Sequence, residues 1–271
     1  MLGDERVSTA YARNAEFWID IVRDRLDPYQ TQLTDPALLA AVGDCTGSDV
    51  LDAGCGEGYL TRELVRRGAG RVHGVDTCAE FVTAARTHPE HRADTATFHH
   101  ADVAELPLPD RSIDLVIANR LPNGITDPQG RFREFARVLR PDGRLLTLGM
   151  HPCFYAARAE RDSTTMQFDI DDYFGTRTVE QRFQVAGRTS PAASVQSFFS
   201  LEASTAMITE AGFAITALRE PRPTAEQRRE NPWWDQHFQR PLFLLLEARP
   251  WPRPGRRKRE VADAASHFPA S

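Results

Sequence analysis

Between residues 43 and 152, short apolar runs alternate with helix-spaced segments, and this alternation constrains the fold more than any other feature of the chain. Asp49 to Ala53, Arg71 to Asp76, Ala96 to Ala101, Ile113 to Ala118 and Leu145 to Leu148 read as strands. Leu60 to Arg67 reads as a helix ended by Gly68, and helical spacing resumes at Phe81, Ala84 and Ala85. Between Arg131 and Arg140, Phe132, Phe135, Val138 and Leu139 mark one helix face, and Pro141-Asp142-Gly143 stops it. Strands that alternate with helices at this spacing must run parallel, with the helices as crossovers. The expected fold is a doubly wound α/β sheet with helices on both faces.

The flanks depart from this rhythm. Tyr11 to Leu26 reads as one amphipathic helix carrying Phe17, Trp18, Ile21, Val22 and Leu26. Val179, Phe183 and Val185 fit an alternating strand, Ala186-Gly187 a turn, and Val195 to Phe199 a return strand. A helix from Leu201 to Ala211 follows, with Ser200 as N-cap and Gly212 at its end. Phe213 to Leu218 and Leu242 to Ala248 read as the last strands. The chain thus divides into an N-terminal helical lid (1–42), a core (43–152), a cap insertion after the fifth strand (153–199), a C-terminal part of the sheet (200–250) and a Pro/Arg-rich tail (251–271) expected to be disordered.

Composition narrows the chemistry. Lys258 is the only lysine among 271 residues, so a Schiff-base or Walker-type lysine is excluded from the main body. A net charge of -5 gives no basic field for nucleic acid, and no apolar stretch is long enough to insert into a membrane. Cys45, Cys55, Cys78 and Cys153 lie far apart, without metal-ligand spacing. Together with a start that lacks a signal-peptide pattern, they read as reduced thiols of a cytoplasmic protein without a metal.

The informative stretch is Val50-Leu51-Asp52-Ala53-Gly54-Cys55-Gly56-Glu57-Gly58-Tyr59-Leu60, at a strand-to-helix junction. Glycines there let a ligand approach the main chain. The dinucleotide pattern GxGxxG would need glycine at Tyr59, and GxGxG stands instead. The next strand ends in Asp76, where a carboxylate accepts both hydroxyls of a ribose, so the pair implies an adenosine-type ligand. Asp102 after the third strand, Asn119 at the end of the fourth, Arg140-Pro141-Asp142-Gly143 and Glu210-Ala211-Gly212-Phe213 follow in order.

On these motifs the chain resembles the class I, seven-strand methyltransferases that use S-adenosylmethionine, closely over residues 45–150 and more loosely over 200–250. The resemblance implies a mostly parallel, Rossmann-like seven-stranded sheet in which Leu242 to Ala248 runs reversed. It also implies S-adenosyl-L-methionine as cofactor and S-adenosyl-L-homocysteine as product. Gly54, Gly56 and Gly58, with Cys55 between them, would pass beneath the methionine and ribose, braced by Asp52. Asp76 and Thr77 would meet the ribose, Asp102 and the Val103 backbone the adenine, and Asn119 the methionine end, with Tyr11 closing over the cofactor.

Methyl transfer from a sulfonium is an in-line displacement that needs alignment above all. The expected acceptor is a small apolar or aromatic molecule of natural-product metabolism. His151, directly after the fifth strand, is the first candidate for a base; Tyr155, Tyr173 and His237 are weaker ones. Asp169, Asp171 and Asp172 would attract a cationic amine, and Phe154, Phe168, Phe174, Phe198 and Phe199 make the cap aromatic. The sequence Asn119-Arg120-Leu121-Pro122 lacks the Asn-Pro-Pro-Tyr signature of adenine or glutamine-amide methylation. A quinone-type lipid methyltransferase and a non-catalytic cofactor-binding sensor are the alternatives. The acceptor atom and the oligomeric state stay open.

Overall fold

The computed structural model describes residues 2–122, 127–154 and 173–251. Seven strands form one sheet: β1 (Asp49–Ala53), β2 (Arg71–Asp76), β3 (Ala96–His100), β4 (Ile113–Asn119), β5 (Leu139–Met150), β10 (Phe213–Arg219) and β11 (Phe243–Pro250). Their order is β10-β11-β5-β4-β1-β2-β3, and β11 runs antiparallel to both neighbours while the strands from β5 to β3 are parallel. The reversed strand is thus the one expected. Between β5 and β10 the chain adds β6 (Arg177–Gln181), paired antiparallel with β9 (Ser194–Phe198), and the two-residue pair β7 (Gln184–Val185) and β8 (Arg188–Thr189). Ala186 and Gly187 both take positive φ in the turn between β7 and β8, the conformation of a tight primed hairpin.

Near-continuous apolar runs in the central strands follow from burial on both faces. Leu51, Val116 and Leu145 join one core cluster with Phe132 and Phe135 of a helix (Pro128–Val138). Their neighbours Val50, Leu115 and Leu146 point the other way, onto Leu60 and Leu64 of a helix (Tyr59–Arg66). Ser200 accepts the Ala203 N–H and caps the helix Leu201–Glu210, as its position before an apolar periodic run implies.

Three expectations change. The N-terminal helix is two, α1 (Leu2–Arg13) and α2 (Ala15–Arg23), joined at Asn14. Asn14 is fully buried: its carboxamide accepts the Ala192 N–H at 2.8 Å and donates to the Ala192 carbonyl at 3.0 Å. β5 starts at Leu139 rather than Leu145, because Pro141-Asp142-Gly143 loops out within a strand whose pairing with β4 shifts register there. Three further helices carry no strong apolar period: α3 (Asp35–Val42), entered through a π-helical turn (Gln30–Thr34), and the short helices Ala225–Glu230 and Trp233–His237. Tyr155, Phe168, Asp169, Asp171, Asp172 and the tail beyond Trp251 lie outside the described residues, as does the side chain of His237. No helix among the described residues is long and apolar enough to cross a membrane.

Candidate functional site

The carboxyl ends of β1, β2, β3 and β4 open into a cavity of about 1170 Å³. Ligand sites commonly occupy ~300–1,000 Å³, so this one has room for two molecules. Gly54, Cys55, Gly56, Asp76, Thr77, Asp102, Val103 and Asn119 line one part of it. Val7, Tyr11, Trp18 and Val22 from α1 and α2, with residues 181–186 around β7, roof the rest.

The glycine loop holds its shape by left-handed backbone. Gly54 and Gly58 have φ of +77° and +85°, and a Cβ there would sit 2.7 Å from Leu121 Cδ1 and Phe98 Cζ respectively. Loop and second strand are tied together: Gly54 and Cys55 donate their N–H groups to the Val75 carbonyl, and Gly56 donates to Asp76 Oδ2 at 2.9 Å. Cys78 N–H donates to Asp76 Oδ1, also at 2.9 Å. Burial raises the Asp76 pKa, and these backbone donors pull it back. Asp102 Oδ1 similarly accepts the Ala104 N–H at 2.8 Å, which fixes the turn after β3.

Asp52 sits behind the loop rather than on the cavity wall. It is 1% exposed, accepts the Thr61 hydroxyl at 2.7 Å, and is pushed up to about 7 by burial. Cys55 is a buried thiol whose pKa burial pushes up, the reverse of a reactive cysteine. Tyr11 lines the cavity and meets Phe81 edge-on at 6.5 Å between ring centres.

Sequence reasoning missed the polar chain at the end of β4. Asn119 Nδ2 donates to the Tyr59 hydroxyl at 2.6 Å, and Tyr59 donates to Asp35 Oδ1 at 3.0 Å. Burial raises Asp35 to about 6 and drives the Tyr59 phenol well above its ordinary value. Arg120 follows in left-handed backbone, φ 55°, and pairs with Asp27 at 2.8 Å. Tyr59 was visible as the departure from GxGxxG, and Asp35-Pro36 as a helix start; nothing local linked them. Asn119 Oδ1 stays buried at the cavity wall without a partner, an acceptor suited to an ammonium group.

The structure does not bring His151 to the cavity. Its backbone continues the ladder by donating to the Leu242 carbonyl, and its ring lies buried between other partners. Nε2 is 3.2 Å from Glu220 Oε1, Nδ1 accepts the Cys153 N–H at 3.2 Å, and Phe154 packs on the ring at 4.9 Å. Burial lowers its pKa against the pull of Glu220. Tyr173 is likewise engaged away from the cavity, accepting the Leu201 N–H and lying 3.3 Å from Cys153 Sγ. Of the expected cap aromatics Phe198 lines the cavity, whereas Phe174 is 83% exposed. The described residues hold no cluster of metal-ligating side chains.

Residues 51–147 match the methyltransferase domain. Over this stretch and its flanks the chain is similar to S-adenosylmethionine-dependent methyltransferases. It is 40% identical over 102 residues to a probable S-adenosylmethionine-dependent methyltransferase of Mycolicibacterium smegmatis, covering 38% of each chain. It is 36% identical over 107 residues to the ubiquinone/menaquinone biosynthesis C-methyltransferase UbiE of Bdellovibrio bacteriovorus, covering 39% of this chain and 46% of that one. These alignments span less than half of the curated relatives' lengths. The crystal structure of an S-adenosylmethionine-dependent methyltransferase from Mesorhizobium loti superposes with a TM-score of 0.65 at 28% identity, over 79% of this chain and 96% of that one. The cofactor of this methyltransferase domain is S-adenosylmethionine, and the glycine loop, two strand-end carboxylates and open Asn119 oxygen suit it.

Proposed function

We propose that this protein transfers a methyl group from S-adenosylmethionine to a small, apolar or aromatic acceptor. The observation that carries the reading is the coupling of the Gly54–Gly58 loop to Asp76 through the 2.9 Å Gly56 bond, on the wall of a cavity with space for a second molecule. When bound, the cofactor supplies an electrophilic methyl on sulfur, and displacement needs no metal or covalent intermediate.

The chain's residues bind and align. Asp76 and Thr77 would hold the ribose, Asp102 and the Val103 backbone the adenine, and Asn119 Oδ1 the ammonium. Gly54, Cys55 and Gly56 would pass under the methionine, Tyr11 would cover it, and Asp52 would brace the loop from behind through Thr61. The α1–α2 and β7 roof excludes water and presses the acceptor toward the methyl. Such positioning supplies on the order of 7–11 kcal/mol of the barrier. We assign no general base; His151, bound to Glu220 and Cys153, is withdrawn as candidate.

Natural-product metabolism is the setting we propose, on an arginine-rich, single-lysine composition. A quinone-type acceptor is the second reading, favoured by the likeness to the UbiE relative and by an apolar wall that includes Tyr29, Trp233 and Phe243. Isothermal titration with S-adenosylhomocysteine, with NAD as control, tests the core of the proposal. Micromolar binding of the first and none of the second is expected; the reverse, or no binding of either, overturns it. Turnover of a quinol with a long apolar tail in preference to short aromatic acceptors would select the second reading.

A further inference from the structure

We propose that Asp35 is a positioning residue for the cofactor. It fixes the direction of the Asp35–Tyr59–Asn119 hydrogen-bond chain, so that the Asn119 carboxamide turns its oxygen, and not its nitrogen, toward the ammonium. The inference rests on the methyltransferase reading above and deepens it at the methionine end of the site.

A phenol has one hydrogen to give. Tyr59 Oη lies 3.0 Å from Asp35 Oδ1 and 2.6 Å from Asn119 Nδ2. An ionised Asp35 accepts only, so it takes the phenolic hydrogen and leaves the Tyr59 oxygen to accept from Asn119. The Asn119 nitrogen is then committed to the protein. Oδ1, buried without a partner among the described residues, is left for the cavity. Without that carboxylate the phenolic hydrogen is free to swing to Asn119. The carboxamide then gains by turning over, which presents its NH2 group to the cavity and sets donor against donor at the ammonium.

Elements from distant parts of the chain hold Asp35 to this task. It directly follows the π-helical turn (Gln30–Thr34), at the start of α3. Burial raises its pKa to about 6, against the Tyr59 bond, Arg120, Arg25 and a bond from Gln30. Arg120 is itself paired with Asp27 at 2.8 Å. Burial first, then Asp35 and Asp52, keep the proton on the Tyr59 phenol. At neutral pH the chain therefore points from Asn119 to Asp35, and a protonated Asp35, donating to Tyr59, reverses it. Asp35 also lines a second cavity, of about 960 Å³, which shares Tyr59 and Gln30 with the first. It exchanges its proton there, away from the cofactor.

The experiment is calorimetric titration of the full-length protein with S-adenosylhomocysteine and with its deaminated analogue, in which hydrogen replaces the ammonium and the carboxylate is kept. The wild type at neutral pH should prefer S-adenosylhomocysteine by about ten- to hundredfold, the worth of one hydrogen bond to a charged group. Asp35→Ala and Tyr59→Phe should each collapse that preference by weakening S-adenosylhomocysteine alone. In the wild type the preference should also fall as pH drops through about 6, a readout that needs no variant. Asp52 and Asp76 bear on both ligands alike, because the two share the adenosine. A preference that survives in both variants, losses equal for the two ligands, or a preference flat with pH overturns the proposal. Both ligands binding the wild type equally overturns it too and leaves the methyltransferase reading standing. Neither ligand binding overturns that reading and the inference with it.

Discussion

Asp76 and Asp52 are carboxylates at the ends of the same two neighbouring strands, yet their surroundings give them different work. Asp76 lies on the cavity wall with both oxygens on backbone N–H groups, while Asp52 is sealed behind the loop against Thr61. Asp76→Ala should weaken S-adenosylhomocysteine binding by about 1.5–3 kcal/mol, the range for hydrogen bonds to a charged group; unchanged affinity in calorimetry would remove it from the ribose role. Asp52 makes stability depend on pH. Its folded pKa, about 7, exceeds the ordinary 3.8, so the folded state binds the proton more readily than the unfolded chain. Its contribution is full below pH 4 and is lost as pH rises through about 7. Asp52→Asn keeps an acceptor for Thr61 without the charge. The variant's melting point should therefore gain on wild type between pH 5 and pH 8, and parallel profiles would refute the assignment.

The roof is where elements from distant parts of the chain act as one. Asn14, at the break between α1 and α2, bonds both backbone groups of Ala192, and Arg188 reaches Asp20 of α2 at 2.8 Å. Helical periodicity reads straight through residue 14, because the force that breaks the helix is a buried pairing across 178 positions. Asn14→Ala leaves the Ala192 N–H unpaired in a buried site, while the carbonyl keeps the Ser190 hydroxyl, and should cost about 1–3 kcal/mol. Denaturant unfolding checks the loss, and proteolysis around residues 182–188 should accelerate in the variant. Arg188→Ala, an exposed pair, should change stability by no more than ~1 kcal/mol.

Across the whole molecule, the two faces of the sheet close differently. One is covered by Phe132 and Phe135, within the stretch whose helical period is plain in the sequence. On the other, Trp234 is 1% exposed against Tyr29, Trp233 and Phe238, joining the C-terminal region to the N-terminal segment beneath the cavity. Trp234→Ala should cost about 3–5 kcal/mol and lower the melting point by roughly 6–15 °C. A calorimetric shift under 2 °C would show that this cluster packs loosely.

What the sequence determined by itself is the strand–helix alternation and the glycine loop with its strand-end acids. Both are local: apolar runs, breaker residues and fixed offsets act over a few residues, and β1 and β2 fall where the runs place them. The position of His151 shows the limit. Its place after β5 points it toward the cleft, but its backbone bond to Leu242 and the Glu220 carboxylate from beyond β10 turn it aside. Tertiary structure likewise decided the Asp35–Tyr59–Asn119 chain and the Asn14 tie. Each depends on groups from separate elements meeting in a low-dielectric interior, where the partner, and not the neighbour in sequence, sets charge and orientation.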